Sequence, residues 1–555
     1  MDVSLISPIV SRNGLPLSDS YILNGYVQSN KKVSKRPGLS LSYQFSAGTG
    51  QGMFSMSGVD YAIIGDVIYN IASPYTSYAI PSVTTANLQY QFISNPPYLS
   101  SALTVLKSTA GMWTFNGTSI TKVTDSNYPV TTTIGIAFLD GTYYVQTPQG
   151  LVYGSALADP TTWPSLRVLT VNTLEGQSIA IASNNVQVAC FGTQWLTQYY
   201  DAGNAAPGTP LSQNFSGSHS IGCASASSIV QMDEFIVFMA QTEHGRSIRI
   251  LSNSEIAPIS NDEINRILDN DNLSLVYAFP LDISGKLFYL LSLGASGITL
   301  VYDFTSKLWT YWASGVSGAA SPVQLTLSTD GVTVTGVLTN NGFQQGDIIK
   351  ISGATLAAFN GSFSVSIIDS NTFTYQLNYN SFVIDQYNNF LVDQNGNFLV
   401  ANTIPSSGGV QGATTVSRYS TTYLSVMAST GANYVLSTTT GAVYQLSTTA
   451  YVDANGLIDF QIVTPETMGQ DSALKRIGAI EIRGDKVATT GYIRYSDDGY
   501  NTWSTYQPVN MLQSRSQTIR CGSTRRRAFQ FRNVDNTPLR VQDLVVSVDW
   551  TEGGV

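Results

Sequence analysis

Charged residues are scarce in this chain of 555 residues. Only 11% of the residues are Asp, Glu, Lys or Arg, whereas an average globular domain has about 25%. A coiled coil or an array of amphipathic helices needs many more charges, so both classes are excluded. The chain also contains 22 Phe, 31 Tyr and 7 Trp, which excludes a disordered protein. The remaining palette, rich in Ser, Thr, Asn, Gly, Val and Tyr, predicts an all-β protein.

Histidine and cysteine are nearly absent. The two histidines, His219 and His244, have no partner at metal-ligand spacing. The three cysteines, Cys190, Cys223 and Cys521, form neither a CxxC pair nor a disulfide framework, and we expect them to be buried thiols. HExxH, GxSxG and phosphate-loop motifs are also missing. The sequence therefore predicts no enzyme, no metal site and no cofactor.

Long apolar runs are missing as well. No stretch approaches the 18 consecutive apolar residues of a membrane-spanning helix. The opening residues, MDVSLISPIVSR, lack the apolar run of a cleavable signal peptide. We therefore expect synthesis in a cytoplasm without secretion.

The net charge of −9 is unevenly distributed. Residues 471–555 contain twelve Lys/Arg and nine Asp/Glu, which leaves this section at +3 and the first 470 residues at −12. A chain this acidic is a poor candidate for tight, sequence-independent DNA binding. The basic C-terminal section is a candidate contact surface instead.

Paired segments of alternating apolar and polar residues recur along the chain, joined by turns containing Gly, Asn or Asp. The clearest pairs span residues 58–71, 139–155, 235–252, 286–304 and 433–447, and weaker ones span 104–123 and 179–200. This pattern is typical of β-hairpins. A spacing near 40–50 residues predicts a β-propeller of about six blades, closed by pairing N-terminal and C-terminal strands. A stacked array of sandwiches is the alternative.

Helix signals are confined to one short segment. Ser260 and Glu263 have the spacing of a capping box, and Ile264, Ile267 and Leu268 mark one apolar face. We predict a short structural helix inserted beside a blade.

The series of predicted hairpins is interrupted in the second half of the chain. Residues 320–380 indicate a self-contained β-module of about six strands between Gly/Ser-rich joints, and a tandem eight-residue repeat at 383–398 suggests a projecting ribbon. The predicted division is an N-terminal arm and closing strand (1–50), propeller blades (51–315), the inserted module and ribbon (316–405), and remaining blades with a basic closing section (406–555).

The segment 496–503, SDDGYNTW, matches the pattern S-x-D-x-G-x-T-W at Ser, Asp, Thr and Trp, with its glycine one position earlier, and resembles the Asp-box of sialidase-like propellers. Its physical role is structural, because the carboxylate and hydroxyls bind turn amides while the Trp packs beneath the hairpin. We therefore expect a structural turn and no catalytic role for its pattern residues, Ser496, Asp498, Gly499, Thr502 and Trp503.

A second basic feature follows at 520–533, RCGSTRRRAFQFRN. Its candidate contacts for assembly are Arg520, Arg525, Arg527 and Arg532. On a regular strand Arg525 and Arg527 share one face and Arg526 points away. Three interpretations remain open: a solvated strand edge, salt bridges at an interface, and contact with DNA.

Several of these segments together resemble the packaged-DNA-stabilising, tail-nozzle (tail hub) proteins of short-tailed bacteriophages. The motifs are NGYV at 24–27, KRPGL at 35–39, GRSIRIL at 245–251 followed by ISNDEI at 259–264, and YSDDGYNTWS at 495–504 with the arginine block. The resemblance covers most of 20–315 and 410–550. The insertion at 320–400 departs from that pattern and resembles immunoglobulin-like decoration modules of phage structural proteins.

The resemblance implies a structural, non-enzymatic role in the virion tail, with assembly in the host cytoplasm. Such proteins form rings, usually hexameric, on the portal and adaptor. They retain packaged DNA and open for ejection at the host envelope. The implied partners are copies of the chain, adaptor and portal proteins, tail fibres or spikes, and double-stranded DNA passing without tight binding. Two alternatives remain: a receptor- or glycan-binding tail component, and a sialidase-like glycan hydrolase.

Overall fold

In the computed structural model the chain is folded mainly into antiparallel β-sheets. The structure describes residues 2–550 without 13, 46–47, 73–74, 84–88, 95–102, 172–175, 185, 233, 315–322, 329–332, 340–342, 344–347, 353, 355–358, 360, 378–410, 414, 419–425, 431–432, 448, 455, 467–473, 514 and 520–521. The tandem repeat at 383–398 lies outside the described residues.

Seven blade-like sheets are formed by the described residues. Blade 1 comprises Gly50–Met56, Val59–Ile64, Val67–Asn70 and Ser77–Ala79. Blade 2 comprises Gln91–Ser94, Thr104–Ser108, Gly111–Phe115 and Ile120–Lys122. Blade 3 comprises Ala137–Leu139, Thr142–Gln146, Leu151–Gly154 and Val168–Thr170. Blade 4 comprises Ser178–Ser183, Val188–Gly192, Leu196–Asp201 and Leu211–His219. Blade 5 comprises Gly222–Cys223, Val230–Gln231, Phe235–Thr242, Gly245–Ser252 and Glu255–Pro258. Blade 6 comprises Val276–Ile283, Lys286–Leu293, Ile298–Asp303 and Leu308–Trp312. The seventh comprises Val426–Ser429, Tyr434–Ser437, Ala442–Leu446 and Leu39–Gln44.

Local chemistry explains the hairpins. The turns Asp140–Gly141 and Ser284–Gly285 have positive φ at both residues, which matches the twist of two-residue hairpin loops. The strands that follow these turns are buried on both faces, since each blade packs between two neighbours: every residue of Thr142–Gln146 is buried, and so are the last six of Lys286–Leu293. Strict alternation of buried and exposed residues, which the sequence pattern predicts, is absent from these two strands.

The ring is closed by a strand from the other end of the chain. Leu39–Gln44 pairs antiparallel with Ala442–Leu446, so blade 7 combines N-terminal and later segments. Leu436 of blade 7 then packs with Met53 and Ile64 of blade 1. Each of the other adjacent blade pairs also shares a buried apolar cluster. The prediction of a propeller is confirmed, with seven blades where the spacing predicted about six.

The helix Asp262–Asn270 packs its predicted apolar residues, Ile264, Ile267 and Leu268, into the core between blades 5 and 6. Its cap differs from the predicted capping box. Asn261 is the N-cap, and its side chain accepts the Ile264 N–H at 2.9 Å. A further short 3-10 turn spans Ala226–Ser228.

The two chain ends together form a β-sandwich. One sheet comprises Asp2–Ser4, Gly25–Val27, Val33–Lys35, Lys475–Gly484, Ser516–Ile519, Ser523–Thr524 and Arg540–Trp550. The other comprises Tyr21–Leu23, Phe460–Val463, Thr490–Ser496, Gln507–Asn510 and Ala528–Asn533, and it continues blade 6 through the parallel pair Leu23–Tyr311. Apolar side chains of both sheets, including Val33, Phe460, Phe531 and Leu544, share one buried core. A small hairpin, Val452–Asp453 with Gly456–Leu457, precedes the sandwich strands.

This sandwich changes the predicted division of the chain. Residues 406–555 were expected to supply the remaining blades, but in the described part only Val426–Leu446 contributes strands to a blade. The described strands between 460 and 550 join the N-terminal strands in the two sheets of the sandwich instead. The physical reason is that blades and sandwiches use the same local pattern of alternating strands and tight turns.

The inserted module has its own core. Its strands are Val323–Leu327, Thr333–Val337, Ile348–Ser352, Gly361–Ile367, Thr372–Gln376, Gln411–Ala413 and Thr415–Arg418. The buried cluster includes Leu325, Ile349, Phe363 and Phe373, and every member lies between residues 323 and 377. The last two strands extend the module past the predicted boundary at 405, because they pair with Val323–Leu327 and Ile348–Ser352.

Deleting residues 323–418 and joining the ends with a short Gly/Ser linker should leave the remaining protein folded with a cooperative thermal melt. The reason is that, among the described residues, the core of the module includes no side chain from outside 323–377. Deleting only 320–400 should give a less soluble protein, because 411–418 would lose its pairing partners. Calorimetry and size-exclusion chromatography make the comparison. Loss of the cooperative melt in the longer deletion would contradict the boundary.

Candidate functional site

Arg36 lies at the junction between propeller and sandwich, within the KRPGL motif, and is 1% exposed. Its Nε donates to Asn24 Oδ1 at 2.8 Å. The terminal nitrogens donate to both carboxylate oxygens of Asp453, at 2.9 and 2.6 Å, and to the backbone carbonyls of Pro37 and Ala313, at 3.0 and 2.7 Å. Every donor group of this buried guanidinium therefore has a partner.

The partners of Arg36 tie three parts of the fold together. Asn24 accepts the Ala313 N–H at 2.8 Å, at the end of blade 6. Asp453 accepts the Leu39 N–H at 3.0 Å, at the start of the closing strand. The network thus joins blade 6, the closing strand and the sandwich.

The residues beside Arg36 are equally buried. Lys35 donates from Nζ to the carbonyl of Asp535 at 2.6 Å and to Asn533 Oδ1 at 3.2 Å, and burial lowers its pKa to about 7. At Gly38 a Cβ would lie 2.0 Å from the carbonyl oxygen of Val452, so only glycine fits. The NGYV and KRPGL motifs therefore build an internal joint.

The Asp-box segment forms the turn between Thr490–Ser496 and Gln507–Asn510, on the sandwich and not on a blade. Asp498 Oδ1 accepts the Thr502 N–H and the Ser496 hydroxyl, both at 2.9 Å, and Oδ2 accepts the Thr502 hydroxyl at 2.5 Å. Gly499 has a φ of +72°, which favours glycine. The arrangement is that of the expected structural turn.

Trp503 ends this turn. It is half-buried and packs against the core between blades 5 and 6, where Tyr500 packs as well. Its ring centroid lies 4.9 Å from the guanidinium carbon of Arg494 on the neighbouring strand. The turn thus holds an aromatic ring between sandwich and propeller.

Replacing Asp498 with alanine should increase amide exchange at Thr502 while the global melting temperature stays nearly unchanged. Hydrogen bonds from Thr502 lower the pKa of Asp498 from 3.8 to about 2. A lowered carboxyl pKa means that the stabilisation is present above 3.8 and is lost as the pH falls through about 2. Wild type should therefore keep its protection at pH 4 and lose it near pH 2, as measured by exchange NMR. Equal exchange in variant and wild type at pH 4 would contradict the assignment.

The four candidate arginines do not form one surface. Arg525 is exposed in a bend, as is Arg526, whereas Arg527 is 1% exposed. Arg527 donates to both carboxylate oxygens of Asp497, at 2.7 and 2.8 Å, and lies 3.7 Å above the ring centroid of Tyr495.

Arg532 is also buried, paired with both oxygens of Asp459 at 2.7 and 2.8 Å. Arg520 lies outside the described residues. The expectation that Arg525 and Arg527 share a face is therefore wrong, because the chain bends at Arg525 and the alternation of a regular strand does not apply. Of the four candidates, the described structure leaves Arg525 available to a partner.

A cavity of about 230 Å³ lies where the inner strands of blades 1, 2, 5, 6 and 7 converge. Its lining includes Gln51, Gln91, Gln231, Phe279 and Ser429. No local pattern in the sequence marks these side chains, because five blades far apart in the chain contribute them.

The metal-ligating and thiol side chains of the described residues are scattered or buried. They contain no group of three or more His, Cys, Asp or Glu side chains arranged to hold a metal ion. Cys190 and Cys223 are buried, and burial raises the pKa of both thiols, to about 12 for Cys223, which favours the neutral thiol over the reactive thiolate. Among the helices of the described ranges, none is long and apolar enough to cross a membrane.

Comparisons with solved structures find matches of low similarity. BamB from Moraxella catarrhalis is 13% identical, with 64% of this chain and 94% of that chain covered and a TM-score of 0.27. The WD40 domain of coronin from Toxoplasma gondii is 10% identical, with 70% and 94% covered and a TM-score of 0.33. A comparison with curated protein sequences finds no match.

A closed propeller joined to a sandwich through a buried arginine network defines a structural scaffold. The family described as Bacteriophage P22 Gp10, beta-propeller, matches residues 18–341, more than half of the chain. The chain belongs to this family of stabilising, tail-hub proteins of short-tailed phages, as the resemblance predicts. It is thus a structural protein of a phage virion.

Proposed function

We propose that the chain assembles into a ring, hexameric in the tail, that forms the nozzle below the portal and adaptor. The ring closes the channel, retains the packaged DNA and opens for ejection at the host envelope. Family membership over residues 18–341 carries this proposal. The rigid joint around Arg36 supports it, because propeller and sandwich would move as one unit under the load of packed DNA.

The charge of the chain suits a channel that passes DNA without gripping it. Each copy has a net charge of −9, so the summed field of a ring repels a polyanion. Retention would then come from a physical constriction. The assembled ring should show no binding to duplex DNA at micromolar concentration in physiological salt, measured by fluorescence anisotropy. Sub-micromolar binding would contradict a non-gripping channel.

Arg525→Glu should weaken docking onto a portal–adaptor complex by about tenfold at low salt, with little change in the melting temperature. Arg525 is exposed, and reversing an exposed charge alters association far more than folding. Lys307→Glu, at an exposed hairpin of blade 6, is the charge-matched control and should dock normally. Surface plasmon resonance compares the two variants. Equal docking of both variants would show that Arg525 does not contribute to the interface.

Electron microscopy of the protein bound to portal and adaptor tests whether the ring lies on the axis of the channel. Axial density that continues the channel is the expected result. Density at the periphery would contradict the nozzle and favour a receptor-binding component.

A further inference from the structure

Arg494, on strand Thr490–Ser496, lies against two aromatic rings. Its guanidinium carbon lies 4.9 Å from the ring centroid of Trp503 and 4.5 Å from that of Tyr506. Its Nε donates to Gln530 Oε1. The two ring contacts help to hold the guanidinium in place, and its two terminal nitrogens carry four more N–H donors.

In the part of the chain that the structure describes, Arg494 forms no ion pair. Asp459, the carboxylate in the same side-chain network, gives both oxygens to Arg532 and accepts a further bond from Gln461. Among the described residues no carboxylate lies within ion-pair distance of Arg494, although Arg494 is half-buried. A partly desolvated charge without a counter-ion is costly, and a carboxylate from outside would relieve that cost.

The Asp-box turn positions one of the two rings that contact Arg494. Asp498 binds Thr502, and the residue after Thr502 is the tryptophan that covers Arg494. Arginine, tryptophan and tyrosine are also the residues most enriched at the energetic centres of protein interfaces.

We infer that Arg494, Trp503 and Tyr506, here called the arginine clamp, bind an Asp or Glu side chain of a second copy of this chain. Charge complementarity selects the second copy: the clamp lies in the section at +3, while the first 470 residues of each copy are at −12. The planar fork of arginine accepts a carboxylate through two parallel hydrogen bonds. The inference rests on the proposed ring and names one of its subunit contacts.

Sedimentation velocity of the full chain tests the clamp. Arg494→Gln should weaken self-association about tenfold or more and reduce its dependence on salt. Arg249→Gln on blade 5 is the matched control, since Arg249 is also half-buried and has no carboxylate partner among the described residues, and it should associate like wild type. If wild type assembles and Arg494→Gln assembles equally well, the clamp inference fails while the ring stands. If wild type stays monomeric, both fail.

A chemical test does not depend on the stability of Arg494→Gln. The Arg494→Lys variant carries a primary amine in the clamp, which a carbodiimide couples to a carboxylate in contact with it. With mixed 14N- and 15N-labelled chains, mass spectrometry should find a cross-linked peptide that joins position 494 of one copy to an Asp or Glu of another. Cross-links from position 494 only within one chain, or none, would overturn the inference.

Discussion

Replacing Arg36 with methionine is expected to lower the free energy of unfolding by about 3–5 kcal/mol. The substitution leaves the buried carboxylate of Asp453 without its bidentate partner, and it leaves Asn24 and the carbonyl of Ala313 with one donor fewer. Since these groups lie in blade 6, the small hairpin and the N-terminal arm, the loss should also uncouple propeller and sandwich. Chemical denaturation and calorimetry measure both effects.

The control for this experiment is Arg525→Met, which removes the same charge from an exposed bend and should change stability by no more than about 0.5 kcal/mol. Arg36→Lys should recover part of the loss, because a lysine keeps the charge but lacks the planar fork. An Arg36→Met protein as stable as the control would show that the joint contributes nothing.

Arg527→Glu is expected to destabilise the protein by at least about 3 kcal/mol. The new carboxylate would occupy a site that is 1% exposed and would face Asp497, so the ion pair of a buried arginine becomes a like-charge contact. The turn that carries Trp503 begins at Ser496, next to Asp497, and should shift with it. Urea denaturation followed by tryptophan fluorescence reports stability and the local change together.

Arg525→Glu, two residues away and exposed, makes the matched control and should melt with wild type. The double variant Arg527→Glu with Asp497→Arg restores opposite charges and should regain part of the lost stability. If the two single variants lost equal stability, the buried position of Arg527 would have no energetic consequence.

The hairpins could be recognised from the sequence because their causes are local. Turns such as Asp140–Gly141 have positive φ at both residues, and the flanking strands are rich in apolar side chains. The same holds for the apolar face of helix Asp262–Asn270, although its cap is one residue later than predicted. The cap moved because Ser260 and Asn261 are both good cap residues, and tertiary contacts choose between them: the Ser260 hydroxyl binds the Ile248 N–H instead.

The burial and partners of the arginines depend on long-range contacts, which local sequence patterns do not predict. Arg525 and Arg527 are alike in sequence, yet one is exposed and the other is buried against Asp497 and Tyr495. In the sequence Arg36 is marked only by the KRPGL motif, and its partner Asp453 lies more than 400 residues away along the chain. Such pairs leave no periodic signal, because each partner is an isolated charged residue in an otherwise ordinary strand or turn.

Composition and alternation by themselves determined that this protein is an all-β scaffold built from hairpins, and the order of its motifs indicated its family. Only the tertiary structure decided which hairpins became blades and which became a sandwich. The reason is physical: a strand pair with one apolar face is stable against any matching face, and the choice between neighbours is made by long-range packing. Val33 and Leu544 meet in one core, and Leu39–Gln44 closes the ring against Ala442–Leu446, because the two ends of the chain fold together.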